Sequence, residues 1–219
     1  MFKKMKKVCS FLISCFPING LRIFWYRILC GYDIDYKSRV GIFNIISVKE
    51  FKMERAEIGN FNYIDAYKLE MGNGALINKL NKLKHLNVIS MGERSIIFSR
   101  NFLGGSRQSI NFPKQNLKIG NDTEILRNNY FDVTDEIIIG NNVVFGGNGS
   151  EVWTHGFDTK RNILTGKVIF QNDIFIGSNC IFTKGITVVG NTTIGPGSVI
   201  YKSIEESGLY SSQQLVKVK

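Results

Sequence analysis

From Leu164 onward a large apolar residue recurs at every sixth position: Leu164, Phe170, Ile176, Phe182, Val188, Ile194 and Ile200. Four residues after each of the first six stand Val168, Ile174, Cys180, Ile186, Thr192 and Ser198, all small or β-branched. A helix cannot produce this pattern, because its faces repeat at 3.6 residues. An ordinary strand alternates at two and then turns irregularly. A strict six-step describes a short strand, a tight turn and another strand of equal length. Three such faces close one coil, which stacks Ile176 against Ile194 at the strand spacing of about 4.8 Å. No coil of this kind buries its own core, so the pattern specifies a solenoid.

The step reappears upstream in Ile119, Ile125, Phe131 and Ile137, slips by two residues, and restarts at Ile139 and Phe145. Ile58 with Ile64, and Met91 with Ile97 and Leu103, extend it. An apolar residue followed by glycine recurs at Ile58-Gly59, Met71-Gly72, Met91-Gly92, Ile119-Gly120, Ile139-Gly140, Ile176-Gly177 and Ile194-Gly195. The chain reads as an all-β parallel β-helix over residues 36–204, with a loop at 146–163. Residues 1–35 form a helical, amphipathic segment and residues 205–219 a tail. The open ends of stacked strands need caps, and these two segments are the candidates. Residues 72–118, which contain NKLNKLKHLN, carry no assignment.

The first 30 residues join a basic MFKKMKK to a short apolar VCSFLISCF, followed by LRIFWYRIL with Arg22 and Arg27 inside it. The apolar run is too short to span a bilayer. A signal peptide begins this way, but no small-residue cleavage site follows. Two readings stand. The helices pack on the end of the solenoid, or residues 1–30 make a peripheral membrane contact with Lys3, Lys4, Lys6 and Lys7 facing anionic lipid. The net charge of +10 over 219 residues suggests an anionic partner. The basic residues are dispersed and no stacking motif accompanies them, so nucleic acid is not expected. Cys9, Cys15, Cys30 and Cys180 have neither disulfide-framework nor zinc-site spacing. They suit a reducing cytosol, and the expected location is cytoplasmic, at the inner membrane face if the helices meet lipid.

The stretch NDIFIGSNCIFTKGITVVGNTTIGPGSVIYKSI resembles the C-terminal signature of the hexapeptide-repeat acyltransferases, closely over residues 164–204 and loosely over 58–163. The resemblance implies a left-handed coil and a homotrimer with acyl-CoA bound between neighbouring subunits. GGNGSEVWTHGFDTKRN is similar to the T-H-x-x-D-like loop of sugar acetyltransferases in that family. Carried over, His155 is the catalytic base, a role that imidazole suits near neutral pH; the alternative is a hydrogen-bonded turn histidine. Asp158 and Glu151 are near enough in sequence to orient the ring, as is a backbone carbonyl. Trp153 lines the mouth or simply packs. His85, in the Lys/Asn-rich stretch, reads as a solvated edge residue.

The same resemblance places acetyl-CoA along Ser178, Pro196 and Lys202, with the oxyanion donor near Ser178. Lys184 and Lys202 are candidates for its phosphates, or else solvent-facing turn lysines. The tail SGLYSSQQLVKVK keeps the family's basic end in Lys217 and Lys219 but not its turn. The implied activity is transfer of acetyl from acetyl-CoA to a sugar hydroxyl of a bacterial surface polysaccharide or its precursor. The alternative is N-acetylation of a nucleotide-linked amino sugar, for which a nucleotide-binding-like N-terminal domain is missing. A metal-dependent carbonic anhydrase on the same coil needs three histidine ligands, and the chain has two; no metal is expected. A purely structural solenoid leaves the His155 loop without a purpose.

Overall fold

The computed structural model describes residues 2–108 and 110–212; the side chains of Lys3 and Lys4, and all of Lys217 and Lys219, lie outside the described residues. Two helices, α1 (Phe2–Ser14) and α2 (Asn19–Cys30), precede a run of short strands that ends at Gly208–Tyr210. Nine strands stack in one parallel sheet, and a 13-stranded sheet wraps the other two faces. Three long strands, Ile45–Met53, Tyr63–Met71 and Lys82–Met91, run across the edge that joins those two faces. The architecture is an all-β parallel solenoid with two short N-terminal helices. Among the described residues no helix is long and apolar enough to cross a membrane.

Val40, Ile58, Ile77, Ile97, Ile125, Phe145, Ile176 and Ile194 pair rung on rung in one buried column. Buried residues on the two flanking strands complete each layer, as Phe170 and Phe182, six residues before and after, do for Ile176. Phe170 and Phe182 meet edge-on at 4.9 Å, the arrangement that ring quadrupoles favour. The glycine after an anchor is there because successive coils touch. A Cβ on Gly59 would lie 2.4 Å from the Asn78 carbonyl oxygen, and one on Gly177 would lie 2.7 Å from the Pro196 nitrogen.

One corner is filled by a ladder of buried asparagines: Asn44, Asn62, Asn81, Asn101 and Asn129. Each side-chain oxygen accepts the backbone N–H of the next rung, at 2.8, 3.0, 3.0 and 2.9 Å in turn. The amide nitrogens of Asn62, Asn81 and Asn101 donate to the carbonyls of Asn78, Phe98 and Leu126. Before each asparagine the chain turns through a left-handed residue: Phe43, Phe61, Leu80, Arg100 and Asn128 have φ between 56° and 61°. That conformation costs a non-glycine residue about 1–2 kcal/mol, and the satisfied buried amides offset it. Ser150 and Cys180 continue the ladder. Its rungs are separated by 18, 19, 20, 28, 21 and 30 residues. The two longest intervals contain residues 105–108 with 110–115, and 154–167, which leave the coil at the same edge.

Side chains from the helical region close the first coil. Arg22 donates to the Val40 carbonyl at 2.7 Å, and Arg27 donates to that of Ile34. Asn19 donates to Ser38 and accepts from the Val40 N–H. Ser10 accepts the Ile46 N–H and Tyr32 donates to the Ile46 carbonyl. Ile23 and Tyr26, one turn apart on α2, are fully buried against this end. An exposed strand edge is thereby covered.

Four sequence expectations change. Leu164 lies in the exposed hairpin strand Ile163–Thr165, so the repeat resumes at Phe170. The excursion spans 154–167 rather than 146–163, because Val143–Asn148 and Glu151–Trp153 stay in the coil through parallel pairing on both sides. Gly208–Tyr210 pairs with Thr192–Ile194, which carries the solenoid past residue 204. Residues 72–104 are coil, with one register shift where Lys84 and His85 stand opposite Asp65: NKLNKLKHLN supplies a ladder rung in Asn81 and the first six residues of the strand Lys82–Met91.

Candidate active site

The second excursion from that edge carries His155. The antiparallel strands His155–Phe157 and Ile163–Thr165 form a hairpin directly after the coil strand Glu151–Trp153. Its tip is tied by Asp158, whose carboxylate accepts the N–H groups of Lys160 and Asn162 and the Asn162 amide, each at 2.8 Å. Those bonds, led by the Asn162 side chain, hold the Asp158 carboxyl below the usual carboxylate range.

At the root of the hairpin, His155 Nδ1 lies 2.6 Å from Asp132 Oδ2. Asp132 is 5% exposed and belongs to the preceding coil, where it stands opposite Trp153 in the parallel ladder. Its carboxylate is fixed from several directions. Oδ2 accepts the backbone N–H groups of Thr154 and His155 at 3.1 and 3.2 Å, and Oδ1 accepts the Thr134 hydroxyl at 2.7 Å. The buried Thr154 hydroxyl sits 3.1 Å from Oδ2 and receives the Asp135 N–H at 2.8 Å. With an acceptor held against Nδ1, the neutral form of the ring places its proton there and leaves Nε2 with the lone pair. Among the described residues none bonds Nε2.

Aromatic rings flank the imidazole. Trp153 and Phe157 approach it edge-on at 6.1 and 5.7 Å. Trp153 packs on Tyr130 at 5.0 Å, and Tyr130 stacks on Phe102 at 5.1 Å. Trp153 Nε1 donates to Glu151 at 2.9 Å.

Of the orienting candidates, Glu151 therefore serves Trp153 and Asp158 serves the hairpin tip. The residue that meets His155 is Asp132, which the sequence reading missed because it searched only near in sequence. A signal was present: Asp132 directly follows the anchor Phe131, in the run that precedes the two-residue slip.

The donor-site candidates fall on two edges. Lys184 follows His155 on the same edge one coil on, and a Cβ on Gly156 would lie 3.6 Å from its Cε. Lys202 comes one coil later, with its ammonium 5.9 Å from the Tyr201 ring. Ser178 and Pro196 occupy the preceding edge, in the turns before Ile181–Phe182 and Val199–Ile200. There Ser178 Oγ accepts the Asn148 N–H at 3.3 Å. One chain does not bring Ser178 beside His155. Lys217 lies outside the described residues. Among the described residues no group of three or more His, Cys, Asp or Glu side chains is placed to hold a metal ion.

No family model and no curated protein matches this chain. Among solved structures it is similar to a hexapeptide-repeat containing acetyltransferase from Vibrio cholerae O1 biovar eltor, complexed with acetyl coenzyme A. The identity is 13%, the match covers 96% of this chain and 81% of that one, and the TM-score is 0.40. At that level of likeness a functional reading rests on this chain's own side chains.

Proposed function

We propose that the protein is an acetyl-CoA-dependent O-acetyltransferase acting on a sugar hydroxyl of a bacterial surface polysaccharide or its precursor. The observation that carries the reading is the 2.6 Å His155–Asp132 pair, at the root of a hairpin whose WTHGFD sequence resembles a sugar-acetyltransferase loop. Acetyl-CoA supplies the activated acyl carbonyl. His155 Nε2 takes the proton of the acceptor hydroxyl as that oxygen attacks; when the carbon–sulfur bond breaks, the imidazolium returns the proton to the leaving thiolate. Asp132 keeps the Nδ1 proton and the ring orientation through both transfers.

Lys184 and Lys202 suit the donor's phosphates by charge and by their place on the His155 edge. The strip of Phe102, Tyr130 and Trp153 offers flat apolar surface to a sugar ring. In the homotrimer we propose, the Ser178 edge of one copy would face the His155 edge of the next and supply the oxyanion donor that one chain does not. The location we propose is cytoplasmic, with residues 1–30 against the inner membrane face; exposed Val8, Leu12 and Ile28 on the helices support that contact.

The test is thiol release from acetyl-CoA with a panel of bacterial glycans and nucleotide-linked amino sugars, wild type beside His155→Ala. Glycan-dependent release lost in the variant supports the reading. Release with amino sugars alone favours N-acetylation. Acceptor-dependent release that persists in the variant removes His155 as the base.

A further inference from the structure

On the same edge as His155, closer to the N-terminal end, stands His85. The preceding coil again contributes a buried aspartate: Asp65 Oδ2 lies 3.9 Å from His85 Nδ1, and the Asp65 side chain is 1% exposed. The two pairs differ in what holds the carboxylate. Asp65 Oδ2 accepts from Lys7 of α1 at 3.1 Å, and the same ammonium bonds the Tyr63 hydroxyl. A cation from the helix therefore neutralises Asp65, and the pair forms one wall of a cavity rather than a second copy of the base.

That cavity measures about 740 Å³ and lies between α1 and the solenoid, a volume typical of small-molecule sites. Lys6, Lys49 and Arg107 line it, and Asp65 is the one acidic residue among the described lining residues. Burial pushes the Lys6 ammonium below its usual range, a penalty that a bound anion would relieve. The remaining wall is largely apolar. Met5, Cys9 and Leu29 also line an adjoining groove of about 630 Å³, whose other walls include Val8, Leu12 and Trp25. Val8 and Leu12 are 61% and 60% exposed. A cationic chamber thus opens into an apolar channel with three lining residues in common. A free phosphate would use the first part and leave the second bare, whereas an amphiphile uses both.

We propose that this trough binds an anionic membrane lipid, with its phosphate at Lys6, Lys49 and Arg107 and its chain along Val8, Leu12 and Leu29. The inference extends the membrane contact proposed above by giving it a specific ligand site; vesicle binding tests the contact and soluble-lipid binding tests the site.

The test uses the full chain and phosphatidylcholine vesicles with and without phosphatidylglycerol. Co-sedimentation should require phosphatidylglycerol. It should weaken about 25-fold in Lys49→Gln/Arg107→Gln, taking about fivefold for each cation near an anionic surface. Leu12→Glu should abolish it, and Lys160→Gln/Arg161→Gln, with the same charge removed at the distant hairpin tip, should bind as wild type. These five positions are exposed, and thermal unfolding verifies that each variant folds. Equal losses in the two double variants would overturn the site while leaving a general membrane attraction. In a Trp153→Phe background, Trp25 fluorescence should report binding of soluble dihexanoyl phosphatidylglycerol but not of inorganic phosphate. That signal without vesicle binding would support the lipid site and remove the membrane contact. Inorganic phosphate binding as tightly as the short-chain lipid would overturn the lipid assignment. Acetyl transfer enters none of these readouts, so their failure leaves the reading of His155 standing.

Discussion

Asp132 and His155 are 23 residues apart in the chain and 2.6 Å apart in space, because one turn of the solenoid separates them. The bond needs an acceptor on the aspartate side. For the proposed acyl transfer we expect Asp132→Asn to lower kcat by about 10³-fold, within the range for a general base left in the wrong tautomer, with the KM for acetyl-CoA little changed. An unchanged kcat would reduce Asp132 to a packing role.

The asparagine ladder makes a stability prediction that is independent of function. Asn81→Ala deletes the acceptor of the Asn101 N–H and the donor to the Phe98 carbonyl, both inside a buried corner. Each orphaned group costs about 1–3 kcal/mol, so the loss should be about 3 kcal/mol by urea unfolding. Lys82→Ala, one residue away on the exposed surface, should stay within about 0.5 kcal/mol of wild type.

Arg22 closes the first coil from α2 and is 7% exposed. Arg22→Ala frees the carbonyls of Val40 and Phe16. We expect a loss of about 2–3 kcal/mol, with faster amide exchange confined to the first coil. Uniform acceleration along the whole solenoid would mean that the cap stabilises all coils cooperatively instead.

Glu136 gives a pH dependence with a definite sign. Burial pushes its carboxyl up, but bonds from Lys118 at 2.9 Å and Asn116 at 3.3 Å, with the charges of Lys118 and Lys167, bring it below the ordinary glutamate range. A depressed folded-state pKa adds stability above the unfolded value, and that stability is lost as pH falls through the folded one. Glu136→Gln should therefore melt below wild type at neutral pH, and the two melting curves should converge below about pH 4. A constant gap between them at every pH would show that ionisation contributes nothing.

The coil was legible in the sequence wherever its corners were built from the small and β-branched residues that the period exposes, as at Ile174, Cys180 and Thr192. It was illegible where asparagine filled a corner, in the column that Cys180 continues, because Asn62, Asn81 and Asn101 look like loop residues until their partners one coil away are known. His155 stood out through its glycine-rich surroundings. Asp132 did not, because what makes it the ring's partner is a rung-to-rung alignment, and the inserted residues hide the count of rungs. Leu164 fell on the six-step by coincidence; nothing in the apolar pattern distinguishes a hairpin residue from an anchor.

The two excursions and both histidines share one edge of a column whose rise per coil is about 4.8 Å. Separation along that edge is therefore quantised. Adding or deleting one whole turn between the trough and the His155 hairpin would move them by one fixed increment and leave the internal geometry of each as it was. Few folds offer such a coordinate, since shifting one site in a globular core usually distorts its neighbour. Here the spacing between the two proposed sites is a matter of how many turns lie between them, open to change by duplication or loss of a repeat.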